Sequence, residues 1–170
     1  MTDTGQFPFP NWLADSSTSE WISPRASETG SSDPDSLSVP YVYTETFTLS
    51  ATLIPSTTVI IGEWSADNFG NIYVNGAQVT AGTNGAIPNQ AGEFASFTTF
   101  TLNSSNASFH TGANTLTFEV YNNTAGTPDV TGLNVVISSA TANSVPEPAS
   151  FGPIAVGLAA LGLLRRKPKH

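Results

Sequence analysis

Residues 64–76 read WSADNFGNIYVNG, and this stretch contains the signals that decide the fold. It begins at the end of a β-branched run, residues 58–64, which predicts a buried strand. Trp64 has the same parity as Ile60 along that strand, so we expect its ring in the core. Residues 67–70 have the composition of a turn. The chain is therefore expected to leave one strand here and to enter the next within a few residues.

The second half of the same stretch predicts a β-hairpin. Residues 71–75 form a strand with Ile72 and Val74 on its inner face. Asn75 and Gly76 follow, and this dipeptide is a strong hairpin signal because both residues tolerate the positive φ angles of a type I′ turn.

Strand patterns continue on both sides of this hairpin, and no amphipathic helix interrupts them. Further strands are predicted at residues 41–49, 94–102, 114–121 and 133–138. Alternation in the first of these strands puts Tyr41, Tyr43, Phe47 and Leu49 on one face. In the last two strands the side chains expected to face the core are Leu116, Phe118, Val120, Leu133, Val135 and Ile137. About seven to eight short strands separated by turns are typical of an all-β fold, an antiparallel β-sandwich or jelly roll.

The turn and strand phrases of residues 40–140 resemble the galactose-binding-like jelly roll, the fold of sugar-binding accessory domains beside many glycoside hydrolases. The phrases are WSADNFGNIYVNG at 64–76, FTTF at 97–100, GANTLTFEVYN at 112–122 and GLNV at 132–135. The resemblance implies a scaffold, and each phrase also has a structural explanation. Asp67 and Asn68, for example, are side chains that commonly cap a turn.

Charge is distributed unevenly along the 170 residues. Residues 1–150 contain thirteen acidic residues, one arginine and no lysine, which leaves twelve net negative charges. Such a surface repels phosphate backbones and argues against nucleic-acid binding. Cysteine is absent, which excludes disulfides, thiol catalysis and thiolate metal sites.

The last 27 residues, SVPEPASFGPIAVGLAALGLLRRKPKH, differ from the rest of the chain. Residues 151–164 contain no charge and predict a single C-terminal hydrophobic helix of about 21 Å. Flanking residues and local thinning of the bilayer would let this helix span a membrane. The basic residues after it would stay in the cytoplasm, following the positive-inside rule. The alternative is a buried helix of the domain, but such a helix would be amphipathic.

The segment before this helix is Val-Pro-Glu-Pro, whose two prolines favour an extended chain. This segment, the apolar stretch and the terminal basic cluster, in that order, resemble the PEP-CTERM sorting signal of Gram-negative bacteria. The signal residues are Val145, Pro146, Glu147, Pro148, Arg165, Arg166 and Lys167. The resemblance implies cleavage by an exosortase at the inner membrane and passage of the body to the cell surface or the exopolysaccharide (biofilm) matrix.

Members of that family begin with a cleavable signal peptide. Residues 1–8 have neither a basic n-region nor an apolar h-region, so we expect the leader to be missing from this sequence. The predicted organisation has five parts. They are an irregular segment packed on the sandwich (1–40), the β-sandwich domain (41–142), an extended linker (143–150), a transmembrane helix (151–164) and a basic cytoplasmic tail (165–170).

The residue sets that support catalysis are missing from the sequence. His110 is the one histidine before the C-terminal residue, and it has no partners for a triad. There is no histidine spacing for a metal and no glycine loop for phosphate. Strand carboxylates such as Glu45 and Glu63 leave a glycoside-processing enzyme as a remote alternative, since that chemistry needs two carboxylates about 5–10 Å apart. We expect no enzymatic activity.

Two functions remain after these exclusions. The first is a structural or adhesive role at the cell surface, and the second is a carbohydrate-binding module that associates with exopolysaccharide. Aromatic rings stack on sugars, and Asn and Asp side chains bond to hydroxyls. The candidate glycan-binding residues are Trp12, Trp21, Tyr73, Tyr121, Asp67 and Asn68. Alternatively, the two tryptophans cover an open end of the sandwich and the two tyrosines form outer cross-strand pairs.

A calcium ion is a further alternative, because hard cations bind clustered oxygen ligands. The residues that would contribute are Asp33 with Asp35, or Asp67 with Asn68. Neither pair has the spacing of a calcium loop.

Overall fold

The computed structural model describes residues 9, 11–25, 33, 37–80, 85–88, 92–123 and 129–146. The predicted hydrophobic helix and basic tail lie outside these residues, as do Asp35, Glu147 and Pro148. Among the residues that the structure describes, none form an apolar helix of membrane-spanning length.

Eight β-strands form in the described residues. They are β1 (Tyr41–Leu49), β2 (Val59–Asp67), β3 (Phe69–Val74), β4 (Ala77–Gln78), β5 (Ala86–Ile87), β6 (Thr98–Leu102), β7 (Gly112–Tyr121) and β8 (Gly132–Thr141). Two short 3₁₀ helices occupy Pro55–Thr57 and Glu93–Ala95. For the described residues, the prediction of an antiparallel all-β fold is confirmed, although the predicted strand at 94–102 is shorter because its first residues belong to the second 3₁₀ helix.

The strands form two antiparallel sheets that pack as a β-sandwich. The larger sheet has the order β1-β7-β3-β4, and β5 also pairs with β3. The smaller sheet has the order β6-β2-β8. Alternating side chains explain this packing, because each strand places its apolar residues on the face that meets the other sheet.

Residues 67–70 connect the two sheets. The turn composition there predicted a short connection. In the structure Asn68 is the one residue between β2 and β3, and these two strands belong to different sheets. The Asn68 backbone N–H donates to the carbonyl of Tyr121 at 3.1 Å. Its side-chain oxygen accepts from the backbone N–H of Asn123 at 2.7 Å. Asn68 therefore ties the connection to the end of β7.

The hairpin prediction at Asn75 and Gly76 is confirmed. Both residues have positive φ, 51° and 78°, as a type I′ turn requires. The Asn75 side chain also accepts from the backbone N–H of Thr115 at 2.8 Å and donates to the side-chain oxygen of Asn114 at 2.9 Å. These two hydrogen bonds connect the turn to β7 in addition to its own strands.

Trp64 lies at the centre of the core, as its parity predicted. Its ring is fully buried and contacts Phe118, with ring centroids 5.4 Å apart. The predicted inward residues of β3 and β7 are buried too. They are Ile72, Val74, Leu116, Phe118 and Val120.

The prediction that Ile137 faces the core is wrong. Leu133 at the start of β8 is buried and Val135 packs against the core, but 46% of Ile137 is exposed. The register shift between β8 and β2 lies beyond Ile137, because Leu133 to Ile137 pair continuously with Ala66 to Gly62. Ile137 is exposed because β8 is the edge strand of its sheet and the residue borders an open cavity.

We expect Gly70→Ala to destabilise the fold by about 1–3 kcal/mol, because overpacking a core has this cost. A Cβ at this position would overlap the carbonyl oxygen of Glu119 and lie 3.3 Å from the Trp64 ring. Urea unfolding of residues 1–146 measures the change. Thr46→Ala, on the exposed face of β1, is the control and should change stability by less than about 0.5 kcal/mol. Equal stability of the two variants would contradict the packing described for Gly70.

Candidate functional site

Trp12 and Trp21 do not form a glycan-binding surface. Their side chains are 3% and 0% exposed, and their rings lie 4.3 Å apart, centroid to centroid. The ring nitrogen of Trp12 donates to Asp67 Oδ2 at 2.8 Å, and that of Trp21 donates to the carbonyl of Leu13 at 2.7 Å. A ring without an exposed face cannot stack on a sugar, and the two tryptophans pack instead with Phe9 and Val130 in a buried cluster.

The segment that contains these tryptophans pairs with β8. Ile22 and Leu133 exchange two backbone hydrogen bonds, each 2.8 Å long. Trp12 also contacts the backbone at Gly132, where an added Cβ would lie 2.8 Å from the ring. Gly132 therefore allows the tryptophan ring to approach the first residue of the strand.

Asp67 is a buried carboxylate beneath the tryptophans. It is 4% exposed, and its Oδ1 has no hydrogen-bond partner among the described residues. Burial raises its pKa to about 7, the Trp12 hydrogen bond opposes this rise, and the negative charge of Asp129 adds to it. Asp67 therefore contacts the interior of the domain and is unavailable to a glycan in solution.

The structure brings Asp33 close to Asp67. The backbone N–H of Thr131 donates to Asp33 Oδ2 at 3.2 Å, and the Thr131 hydroxyl donates to the backbone carbonyl of Asp67. The other oxygen of Asp33 forms an ion pair with Arg25 at 3.1 Å. Both carboxylate oxygens of Asp33 are thus engaged within the protein. In the part of the chain that the structure describes, no three acidic or histidine side chains gather as a metal site would require.

We expect the domain to be more stable at pH 5 than at pH 8 because of Asp67. Its pKa of about 7 in the folded state lies above the ordinary 3.8, so the folded state binds more protons between these values. Stability therefore rises as the pH falls from 8 towards 4, by on the order of 2–4 kcal/mol. Thermal unfolding of residues 1–146 across this range measures the effect.

Asp67→Asn keeps an oxygen that can accept from Trp12 and removes the ionisable group. This variant should lose most of the rise in stability at low pH, whereas the exposed Glu20→Gln should retain it. A pH dependence that survives Asp67→Asn would show that another group is responsible.

Tyr73 and Tyr121, in contrast, lie together on the outer face of the larger sheet. The register between β3 and β7 pairs Asn71 with Glu119 and Phe69 with Tyr121. The hydroxyl of Tyr121 donates to Glu119 Oε2 at 3.1 Å. We name this group the tyrosine platform, and it consists of Phe69, Asn71, Tyr73, Gln78, Glu119 and Tyr121.

Two rings of the tyrosine platform stack on each other. The rings of Phe69 and Tyr121 have centroids 5.0 Å apart and planes 9° apart, so each covers one face of the other. Next to them, the Gln78 side chain donates to the side-chain oxygen of Asn71 at 3.0 Å. Gln78 is exposed and the other platform residues are half-buried. Aromatic rings bordered by amide groups are thus partly accessible from solvent.

Burial and the neighbouring Glu119 raise the pKa of both tyrosines. Burial and the hydrogen bond to Glu119 raise the pKa of Tyr73 to about 12. The same causes, burial first, raise the pKa of Tyr121. Both phenols therefore remain protonated at any physiological pH, and the platform presents hydroxyl groups around a carboxylate.

Sequence reasoning found the two tyrosines but missed Phe69, Asn71, Gln78 and Glu119. Alternation along each strand could have shown part of this group, since residues 69, 71 and 73 share one face of β3 and residues 119 and 121 share one face of β7. Which residues of β3 lie opposite which residues of β7 depends on how the two strands pair, and the sequence alone does not show this pairing. Asn68, in contrast, was predicted in the site but lies in the connection between the sheets.

Two residues of the predicted sorting signal, Val145 and Pro146, lie in the described part of the chain and are exposed. Ser144 forms a β-bridge with Leu53, and the Val145 backbone N–H donates to the carbonyl of Thr52 at 2.8 Å. The chain thus leaves the sandwich at its surface. Glu147, Pro148, Arg165, Arg166 and Lys167 are outside the described residues.

Comparison of the chain with protein-family models, with curated proteins and with solved structures found no match.

Proposed function

We propose that this chain is an exported protein of the cell surface or extracellular matrix, with a structural or adhesive role and no enzymatic activity. The observation that carries the proposal is the three-part C-terminus: Val-Pro-Glu-Pro, an apolar stretch and a basic cluster. In this proposal an exosortase at the inner membrane processes the tail, and the body is a jelly roll of the galactose-binding-like type.

The surface position of Val145 and Pro146 supports this proposal. A membrane-surface protease needs an extended, accessible segment, and residues 144–146 are exposed. Val145 is held at its backbone by Thr52, while 49% of the residue remains exposed. A folded body would therefore present the start of the signal to a protease without unfolding.

Replacing Pro146, Glu147 and Pro148 together by alanine should prevent sorting. The chain, expressed with a signal peptide in front of Met1 in a bacterium that has an exosortase, should then remain unprocessed in the inner-membrane fraction. The unaltered chain should lose its tail and reach the surface. Fractionation followed by mass spectrometry distinguishes these results.

Ser144→Ala is the matched control for this experiment, because it lies just before the signal and leaves it unchanged. It should be processed like the unaltered chain. Normal processing of the triple alanine variant would contradict the sorting proposal.

Glycan binding is the second candidate function, and the tyrosine platform favours it. Its stacked rings provide an apolar surface for a sugar ring, while its hydroxyl, amide and carboxylate groups supply hydrogen bonds. The domain is strongly acidic, so the glycan that fits it best is neutral. Such binding would hold an exported protein in the exopolysaccharide.

We expect Tyr121→Ala to reduce binding to the producing organism's purified exopolysaccharide by at least about tenfold, because the variant removes a stacking face and a hydroxyl. Residues 1–146 are used, and the affinity is measured by calorimetry. Tyr121→Phe should retain the stacking and lose less affinity than Tyr121→Ala.

Thr46→Ala, on the exposed side of β1, is the control and should bind as the unaltered domain does. Near-ultraviolet circular dichroism verifies that each variant is folded. Unchanged affinity of a folded Tyr121→Ala variant, or no binding by any variant, would remove the platform as a glycan site.

A further inference from the structure

The N-terminal residues 11–22, which include both buried tryptophans, lie over the outer face of the smaller sheet, and we name this segment the strap. It forms neither helix nor strand apart from the β-bridge between Ile22 and Leu133. The backbone N–H of Leu13 also donates to the carbonyl of Phe94 at 2.9 Å. The strap is therefore an irregular segment added to the sandwich, outside its two sheets.

The apolar contacts of the strap are separate from the main core. Trp12 and Trp21 belong to a cluster with Phe9 and Val130. The core between the sheets is a different cluster, which contains Trp64. Segments whose contacts form a unit of their own can open locally while the rest of a protein stays folded. The strap can thus leave the sandwich without disturbing the packing between the sheets.

The surface beneath the strap contains buried polar atoms that have no hydrogen-bond partner among the described residues. They are Asp67 Oδ1 and both polar atoms of the Asn134 side chain. Asn134 is fully buried, and the bridge between Ile22 and Leu133 puts Trp21 opposite it. Burying such atoms without partners is unfavourable, and water would bond to them once the strap leaves. Closing the strap therefore has a free-energy cost that opening removes.

The size of this cost depends on the protonation of Asp67. Its Oδ2 accepts from the ring nitrogen of Trp12 at 2.8 Å, while Oδ1 is buried without a partner. An ionised carboxylate in this position loses far more hydration than a neutral carboxylic acid does. Ionisation therefore favours the open strap, and burial accordingly raises the pKa of Asp67 to about 7 in the closed form.

Charged groups on the neighbouring elements do not offset this effect. Asp129 is negative and raises the pKa of Asp67 further. Asp33 is buried, and Arg25 balances its charge in an ion pair of 3.1 Å. The other charged residues of the described elements packed here are acidic, namely Asp15 and Glu20 in the strap and Glu93 in the second 3₁₀ helix.

We propose that the strap opens in response to pH: it leaves the outer face of the smaller sheet when Asp67 is ionised, and the β-sandwich stays folded. Opening exposes the rings of Trp12 and Trp21, which are buried in the closed form. Such rings provide apolar surface for contacts with other molecules. This inference uses neither the sorting signal nor the tyrosine platform, so it is independent of the proposed function.

Hydrogen–deuterium exchange of the full chain in detergent micelles, measured by mass spectrometry at pH 5 and pH 8, tests the proposal. After correction for intrinsic exchange rates, the amides of Leu13 and Ile22 report the strap and those of β2 report the core. We expect weaker protection in the strap than in β2 at both pH values. The closed strap loses stability as the pH rises from about 4 to 7, so its opening should increase on the order of a hundredfold between pH 5 and pH 8.

Two variants separate Asp67 from other causes. Asp67→Asn removes the ionisable group and should abolish the increase, whereas the exposed Glu20→Gln should retain it. Trp12→Phe keeps an aromatic ring and removes the N–H that bonds to Asp67. Its strap should open about tenfold more than the unaltered strap at pH 8 and by less at pH 5, because a hydrogen bond to a charged group is the stronger one. Protection of the β2 amides verifies the fold of each variant.

Three results would overturn the proposal. The first is equal protection of the strap and β2 at pH 8, which would mean that the strap opens only when the whole domain unfolds. The second is an increase with pH that survives Asp67→Asn in a folded chain. The third is equal strap opening of Trp12→Phe and the unaltered chain at pH 8.

Discussion

The chain crosses from one sheet to the other through a single residue, Asn68, and the rest of the sandwich depends on this crossing. With so short a connection, the end of β2 and the start of β3 must lie close together in opposite layers. Asn68 secures this arrangement with two hydrogen bonds to the residues at the end of β7. Trp64 and Ile72, a few residues to either side, are both buried in the core between the sheets. The buried carboxylate of Asp67 adjoins the crossing and anchors the N-terminal tryptophans through Trp12.

The same arrangement separates three regions of different chemistry. The end near Asp67 is covered by buried aromatic rings and contains the buried carboxylate of Asp67, whose raised pKa is the reason to expect stability that depends on pH. The outer face of the larger sheet presents the tyrosine platform to solvent. The side between β1 and β8 retains an apolar cavity of about 330 Å³. The domain therefore has one closed end and two regions that are open to solvent.

Local patterns were sufficient to predict six of the eight described strands, the hairpin at Asn75 and the burial of Trp64, because each depends on neighbours along the chain. They could not predict that residues 67–70 join different sheets, since turn composition does not state where the next strand pairs. Composition also left Trp12 undecided between surface and core, because its partner Asp67 is 55 positions away. Tyr73 and Tyr121 were recognised as outward residues, but their meeting around Glu119 depends on strand register. Ile137 was misassigned because alternation does not reveal that β8 is the edge strand of its sheet.

The central claim is that the C-terminal segment is a sorting signal that is removed when the protein reaches the surface. The most direct test is the intact mass of the chain recovered from the surface or the extracellular matrix of the producing bacterium. The account predicts a mature chain that ends close to Pro146 and lacks residues 151–170. A surface-recovered chain whose mass includes residues 151–170 would contradict it.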